Sequence, residues 1–264
     1  MERLLVLLLV ERLAKHLQGA GHVAVGASSP IPATAALLAR HREPSLRVSL
    51  LGAESTSDFT DGGRELFDCA AQGRIDYFFF SGVQLDGAAN INLVGRGHYP
   101  SLDQRFAGSF GSAYLYHHVP KVILFCWNHS LATLVNRVDF ISAAGPLNDG
   151  VWRRGGPVVL LTDRCEFSYQ RFNQDAENSA QNPELNGEEA AGGFVLTSLH
   201  PDQSLQSVAD NTGFTYAVDD GCTNAVRSSA TELEQVEQLI IDNILPELAE
   251  SYPRFVSRWQ QEQA

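Results

Sequence analysis

Basic residues are scarce in this sequence. Lys and Arg together number 19 against 31 Asp and Glu, so the 264-residue chain carries a formal net charge of -12 at pH 7. Proteins that bind nucleic acid contact the phosphates through clustered Lys and Arg. The sequence therefore predicts that nucleic acid is not a partner.

Cysteines are also few, and they lie far apart in the chain. The four are Cys69, Cys126, Cys165 and Cys222, and no two of them form a C-x-x-C pair. Structural zinc sites draw their ligands from short local clusters, so we expect no metal site. Each thiol is expected to be a small buried apolar group in a reducing compartment.

Long hydrophobic runs are missing as well. The apolar stretch at residues 4–10 is flanked by Glu2, Glu11 and Arg12, and it is too short to cross a bilayer. No small-residue cleavage site of the kind that ends a secretion signal follows it. We therefore expect a cytoplasmic protein without a membrane partner.

The chain does contain enough apolar sequence for a large core, with 44% hydrophobic and 19% charged residues. Short, continuously apolar segments alternate with segments of helical periodicity. Strands are predicted at residues 22–26, 46–51, 76–81, 90–94, 119–127, 138–142, 158–162, 193–199 and 214–218. Helices are predicted at residues 2–18, 32–40, 64–72, 204–212 and 231–248. This pattern predicts an α/β fold, a mainly parallel open sheet covered by helices on both faces, in a single domain spanning residues 1–264.

Ligands of open α/β sheets bind beyond the carboxyl ends of the strands, so residues that follow a strand are the first candidates. Glu54 directly follows the apolar run LRVSLLGA. A carboxylate in this position is either a reactive group or part of a helix cap, and position alone favours the cap. His129 follows the strand VILFCW, where a histidine is either catalytic or held in the structure by hydrogen bonds.

A glycine-containing loop precedes the strongest predicted strand. This glycine loop consists of Gly108, Ser109, Phe110, Gly111 and Ser112. Glycines let backbone amides approach a ligand closely and bind an anion, although a plain turn has the same composition. The loop is not a phosphate-binding P-loop, because no Gly-Lys-Ser/Thr follows it.

Taken together, these segments resemble the β subunit of family I coenzyme A transferases. LLGAEST places Glu54 where that family has a glutamate at a strand end, and FAGSFGSA resembles the family's glycine-rich loop. SGVQLDGAANINLVG resembles the segment in which a Gly-x-x-Gln start leads to a short Gly-x-x-Asn strand, and KVILFCWNHS resembles the strand that ends in a polar-His-Ser signature. The four segments follow each other in the same order and spacing as in the family across residues 46–145. The chain beyond residue 165 matches the family only in general pattern.

The resemblance implies a covalent mechanism. The carboxylate of Glu54 would attack an acyl-CoA thioester, and a glutamyl-CoA thioester would then carry the CoA to an acceptor carboxylic acid. Backbone amides of the glycine loop would stabilise the developing oxyanion. Gln84, Asn90 and His129 would contact the substrates. Coenzyme A would be a co-substrate with no further cofactor, and the partner would be an α subunit in a hetero-oligomer.

Two departures from the family pattern leave alternatives open. Glu54 is followed by Ser55 and Thr56 instead of glycine, and Phe110 replaces a small residue, where it would narrow the loop or pack on an acyl group. An acyl-CoA hydrolase acting on ring-cleavage intermediates is the first alternative. Decarboxylases of this family replace the glutamate, which this sequence keeps. A non-enzymatic ligand-sensing module is the second alternative, although the basic DNA-binding extension usual in such proteins is missing.

Overall fold

The computed structural model describes residues 3–53, 59–106, 108–147, 150–172, 190–224 and 230–261. In chain order, the elements are α1 (Arg3–His16), β1 (His22–Val25), α2 (Pro30–Arg42), β2 (Arg47–Leu50), α3 (Gly62–Ala71), β3 (Tyr77–Phe80), β4 (Gln84–Leu85), β5 (Ile91–Asn92), β6 (Gly95–His98), β7 (Ser101–Arg105), α4 (Ser112–His118), β8 (Lys121–Cys126), β9 (Gly156–Thr162), β10 (Cys165–Arg171), β11 (Gly192–Leu199), α5 (Leu205–Ala209), β12 (Ala217–Asn224), α6 (Ala230–Leu239), a π-helical turn (Ile240–Ile244), α7 (Leu245–Leu248) and α8 (Pro253–Gln261).

The chain forms two compact units. Unit 1 comprises Met1–Phe79 and Arg227–Ala264, and unit 2 comprises Phe80–Val226. The expectation of a single domain stays a prediction.

Unit 1 is built on three parallel strands. β1 lies in the middle and pairs in parallel with β2 on one side and with β3 on the other. All four residues of β1 are buried, as expected of a central strand in a parallel sheet. Leu9, Leu13 and Leu17 recur at helical spacing and are 0% exposed, which explains why the first segment folds as a helix with an apolar face.

The carboxyl-terminal helix of unit 1 is interrupted where the sequence predicts one continuous helix. α6 ends at Leu239, a π-helical turn follows, and the amide of Leu245 donates to the carbonyl of Ile240. Pro246 comes next, and proline has no amide hydrogen to continue a regular helix. The wider turn leads the chain into α7 around this proline.

In the described residues of unit 2, the strands β8 to β12 pair side by side with mixed direction. β8 and β9 are parallel, and so are β11 and β12. β10 runs antiparallel to both of its neighbours, β9 and β11. Two small antiparallel hairpins, β4 with β5 and β6 with β7, precede this sheet in the chain. The aromatic rings of Phe167, Phe194 and Phe214 pack together and form part of its core.

The predicted fold class is confirmed, because parallel pairing dominates and helices alternate with the strands. The sequence did not indicate β10, which is antiparallel to both of its neighbours, nor the hairpin of β6 with β7. The strand predicted at residues 138–142 was wrong. In this segment the amides of Val138 and Asp139 donate to the side chains of Asp86 and Gln84, so they are not available to a strand ladder. Within the described ranges, no helix is long and apolar enough to cross a membrane.

Candidate functional site

The proposed nucleophile, Glu54, lies outside the described residues. The described chain leading to it has the predicted form, since β2 ends at Leu50 and the amide of Leu51 donates to the carbonyl of Val25. Ala53, the last described residue before Glu54, is buried. Glu54 therefore follows the carboxyl end of a parallel strand in the sequence, and its role stays a prediction.

The glycine loop leads directly into α4. Gly111 is the N-cap residue of that helix and has a left-handed backbone with φ of +55°, a conformation that favours glycine. The amide and the hydroxyl of Ser112 both donate to the carbonyl of Ser109, which closes the turn. Gly108 and Ser109 are exposed, so the loop presents backbone to solvent at the start of a helix. Such backbone can donate hydrogen bonds to an oxyanion.

Phe110 does not fill the glycine loop. Its side chain is 69% exposed, an unusual state for a phenylalanine. The ring is thus on the surface beside the amides of the loop, where it can pack on a bound apolar group. Contact with an acyl chain stays a prediction.

Asn90 belongs to a buried polar network centred on Asp86. The carboxylate of Asp86 accepts hydrogen bonds from the amide of Asn90 at 3.0 Å, from its side-chain nitrogen at 3.1 Å and from the amide of Val138 at 3.3 Å. The side-chain oxygen of Asn90 accepts from the amide of Gly145 at 2.9 Å. Burial raises the pKa of Asp86, and the bonds from Asn90 and Val138 oppose that rise.

Gln84 belongs to a second network, which joins the β4–β5 hairpin to the chain near Asp139. Its side-chain oxygen accepts from Asn92 at 2.7 Å and from the amide of Asp139 at 3.0 Å, and its nitrogen donates to the Asp139 carboxylate. Asn92 also donates to the carbonyl of Gly95. Gln84 and Asn90 therefore hold the frame of the QLDGAANIN segment. Their contact with substrate stays a prediction.

His129 is buried, with only 2% of its surface exposed. Its Nδ1 lies 3.0 Å from the hydroxyl of Thr162, and its Nε2 lies 2.8 Å from the hydroxyl of Thr212. Both hydroxyls also have a backbone acceptor, since Thr212 donates to the carbonyl of Val208 and Thr162 to the carbonyl of Cys165. In this arrangement His129 is a neutral group held in the structure by hydrogen bonds. Its contact with substrate stays a prediction.

Stability should depend on pH through His129. Burial lowers its pKa to about 4, and the charge of Arg164 acts in the same direction. Between pH 6.5 and 4 the unfolded chain takes up a proton that the folded chain refuses, so the free energy of unfolding falls as the pH falls. The loss is about 2 kcal/mol between pH 7 and pH 5.

Urea unfolding at pH 7 and pH 5 measures this effect. His129→Gln should weaken the protein at both pH values but remove most of the pH dependence. His98→Gln, at an exposed position, is the matched control and should leave the dependence unchanged. If the stability of the His129 variant falls between pH 7 and pH 5 as much as that of the unaltered chain, other groups cause the pH dependence.

Two further groups of unit 2 were not among the predicted site residues. Asp163 directly follows β9, its carboxylate accepts the amide of His129 at 2.8 Å, and burial raises its pKa. The strand-end rule that selects Glu54 could have found it. Arg153 lies over the ring of Tyr116 at 4.7 Å, and no local pattern marks that contact. Within the described ranges, His, Cys, Asp and Glu side chains form no cluster of three that could hold a metal ion.

Comparison with known proteins identifies similar sequences and folds. The family model described as coenzyme A transferase matches residues 9–180. The 3-oxoadipate CoA-transferase of Pseudomonas knackmussii has a subunit, designated B, that is 27% identical over a match of 173 residues, and the match covers 63% of this chain and 59% of that protein. The chain thus matches less than two thirds of the length of this curated relative.

Solved structures share the fold at low sequence identity. Glutaconate coenzyme A-transferase from Acidaminococcus fermentans superimposes with a TM-score of 0.72 at 18% identity, covering 94% of this chain and 96% of that one. IpdAB from Rhodococcus jostii RHA1 gives 0.70 at 20% identity, covering 95% and 98%. The decarboxylase AibA/AibB gives 0.70 at 22% identity, covering 88% and 93%.

Proposed function

The chain belongs to the coenzyme A transferase family, and from this premise we propose that it is the glutamate-bearing β subunit of an enzyme that moves coenzyme A from an acyl-CoA to a carboxylic acid. The observation that carries the proposal is the family match across residues 9–180, which includes Glu54 and the glycine loop. Coenzyme A is the co-substrate, and no other cofactor is proposed. The proposed location is the cytoplasm.

In the proposed reaction the Glu54 carboxylate attacks the thioester carbonyl. The carbon–sulfur bond breaks, the CoA thiolate leaves, and a mixed anhydride forms. The thiolate then attacks the glutamyl carbonyl, which releases the first acid as its carboxylate and leaves a glutamyl-CoA thioester. The acceptor carboxylate repeats the sequence in reverse, which forms the new acyl-CoA and restores Glu54. One difficult transfer is thereby split into easier steps.

The chain's own groups have two tasks in this mechanism. Glu54 must remain ionised, so its surroundings have to stabilise the charged carboxylate. The glycine loop donates backbone hydrogen bonds to the oxygen on which negative charge develops. One such donor contributes roughly 3–4 kcal/mol to transition-state stabilisation. The left-handed Gly111 supports this role, because it leaves the backbone at the helix start unobstructed by a side chain.

A partner subunit is part of the proposal. The relative in Pseudomonas knackmussii is, by its name, one subunit of its enzyme, which supports a two-subunit enzyme here too. Acyl-CoA hydrolysis is the second candidate function, favoured by Phe110, which stands exposed where the family has a small residue. In that case Glu54 would act as a general base on water.

Thioester consumption with and without an acceptor acid tests the proposed function. The chain is assayed alone and together with the partner subunit, using acyl-CoAs of different acyl groups. We expect exchange only when both the partner and an acceptor acid are present. Consumption without an acceptor would identify a hydrolase. Full activity of a monomeric chain in light scattering would contradict the partnership, and ligand binding without turnover would indicate a sensing module.

A further inference from the structure

A segment near the carboxyl terminus, between α7 and α8, contacts the chain that follows β1 and β2. Residues 26–29 follow β1, and we call them the β1 turn. Residues 51–53 follow β2 and directly precede Glu54 in the sequence, and we call them the β2 turn. Tyr252 lies in the contacting segment, in the same compact unit as both turns. It lies outside residues 9–180, so the family match assigns it no role.

The hydroxyl of Tyr252 bonds to both ends of the β1 turn. It donates to the carbonyl of Gly26 at 2.8 Å, across 226 positions of the sequence. Burial raises the pKa of Tyr252, and a hydrogen bond from the backbone of Ser29 opposes that rise. Ser29 is the N-cap residue of α2. One buried hydroxyl therefore connects the end of β1 to the start of α2.

The β2 turn packs against the same segment. A methyl group placed on Gly52 would lie 3.5 Å from Ala27 and 3.5 Å from the Cβ atom of Ser251, which precedes the tyrosine. The amide of Leu51 donates to the carbonyl of Val25 at 3.0 Å, so the β2 turn is also bonded to the end of β1. The last residue of the β2 turn is buried and directly precedes the proposed nucleophile.

Tyr252 is itself held by the surrounding helices. Its amide donates to the carbonyl of Leu248 at 2.8 Å, and its carbonyl accepts from the amide of Val256 at 3.1 Å. Only 6% of its surface is exposed. An ion pair between Glu247 and Arg40 ties α7 to α2. These contacts fix the position of the tyrosine hydroxyl relative to the start of α2.

We propose that Tyr252 is a positioning residue for the reaction of Glu54. This inference rests on the proposed function. The hydroxyl fixes the β1 turn, and the β1 turn supports the β2 turn, from which the chain continues to the nucleophile. A carboxylate that attacks a thioester needs a precise approach, and a displacement of about 1 Å lowers such a rate by up to about 100-fold. No contact between Tyr252 and substrate is proposed.

Tyr252→Phe tests the proposal, because it removes the hydroxyl and keeps the ring. The chain is measured together with its partner subunit. We expect kcat for CoA transfer to fall about tenfold or more while KM for acyl-CoA stays nearly unchanged, since the substrate contacts remain and only the attack is misaligned. Amide hydrogen exchange should become faster in the peptides that cover residues 26–29 and 51–53.

Thr197→Val is the matched control. The Thr197 hydroxyl also donates to a backbone carbonyl, that of Glu166 at 3.0 Å, but it lies in unit 2. This variant loses a hydrogen bond of the same kind, so its midpoint of urea unfolding should fall by a similar amount. Its kcat and the hydrogen exchange of both turns should stay as in the unaltered chain.

The outcomes separate this proposal from the proposed function. If Tyr252→Phe lowers stability but leaves kcat unchanged, its role is structural only and the proposal is wrong. A higher KM with an unchanged kcat would also contradict it, because the loss would then lie in substrate binding. If the unaltered chain with its partner transfers no CoA, the proposed function fails. Faster exchange of both turns in the variant would then still support their fixation by Tyr252, and unchanged exchange would overturn it.

Discussion

Replacing Glu54 with Gln should lower acyl-CoA turnover by about 10⁴-fold or more while the protein still folds. Glutamine keeps the size and an acceptor oxygen of the side chain, but it loses the negative charge and most of the nucleophilicity. A covalent mechanism cannot proceed without that carboxylate. Steady-state assay of the chain with its partner measures the loss, and circular dichroism checks the fold. Glu234→Gln, at an exposed position of α6, is the matched control.

The Asp variant separates a nucleophile from a helix cap. Glu54→Asp keeps the charge and moves it back by one methylene, which takes the carboxylate out of attack distance. If Glu54 is the nucleophile, both variants should therefore lose most of their acyl-CoA turnover. If Glu54 is a helix cap, the Asp variant should be nearly as stable as the unaltered chain, and the Gln variant should lose about 1 kcal/mol of stability. Full activity of the Gln variant would exclude the covalent mechanism.

Gly111→Val should lower turnover by about 10²–10³-fold, the range found when an oxyanion donor is removed. The branched side chain would obstruct the approach of a ligand to the loop backbone. It also meets a left-handed backbone with φ of +55°, so we expect a loss of about 1–2 kcal/mol in the free energy of unfolding. Kinetic assay and urea unfolding measure the two effects separately.

A second positive-φ glycine provides the control for this strain. Gly19 has φ of +71° and open space around its position, and it lies in the other unit. Gly19→Val should cost a similar amount of stability without lowering turnover. If both variants lose stability and neither loses activity, the glycine loop is a plain turn and the oxyanion donors lie elsewhere.

Most of the strands could be predicted because each is a short apolar run between turn residues. β1, β2, β3, β8 and β9 lie within the predicted segments or extend them by two residues at most. The strand wrongly predicted at residues 138–142 could not be recognised as wrong locally, because its backbone bonds to distant groups. Its amides bond to the side chains of Asp86 and Gln84, more than 50 positions away in the chain, and no local pattern contains that information.

The candidate site was predictable only where glycine or a strand end marks it. The glycine loop could be selected from sequence because Gly111 meets a real conformational demand, a left-handed residue at a helix start. The side chains of Arg153 and Arg171 both donate to the carbonyl of Gly155, and the sequence did not indicate that they meet there. They lie on opposite sides of the antiparallel turn between β9 and β10, and the pairing of those strands sets their closeness. His129 follows an apolar strand, and that pattern alone leaves open whether the ring is buried or exposed.

Mass spectrometry of the chain with its partner subunit, after incubation with acyl-CoA, tests the covalent mechanism most directly. Borohydride reduces a glutamyl-CoA thioester to an alcohol, and hydroxylamine replaces the CoA thiolate to give a hydroxamate. We predict that the peptide containing Glu54 carries these modifications only when acyl-CoA is present, and that the Glu54→Gln variant never carries them. Rapid CoA exchange with an unmodified Glu54 peptide would contradict the mechanism.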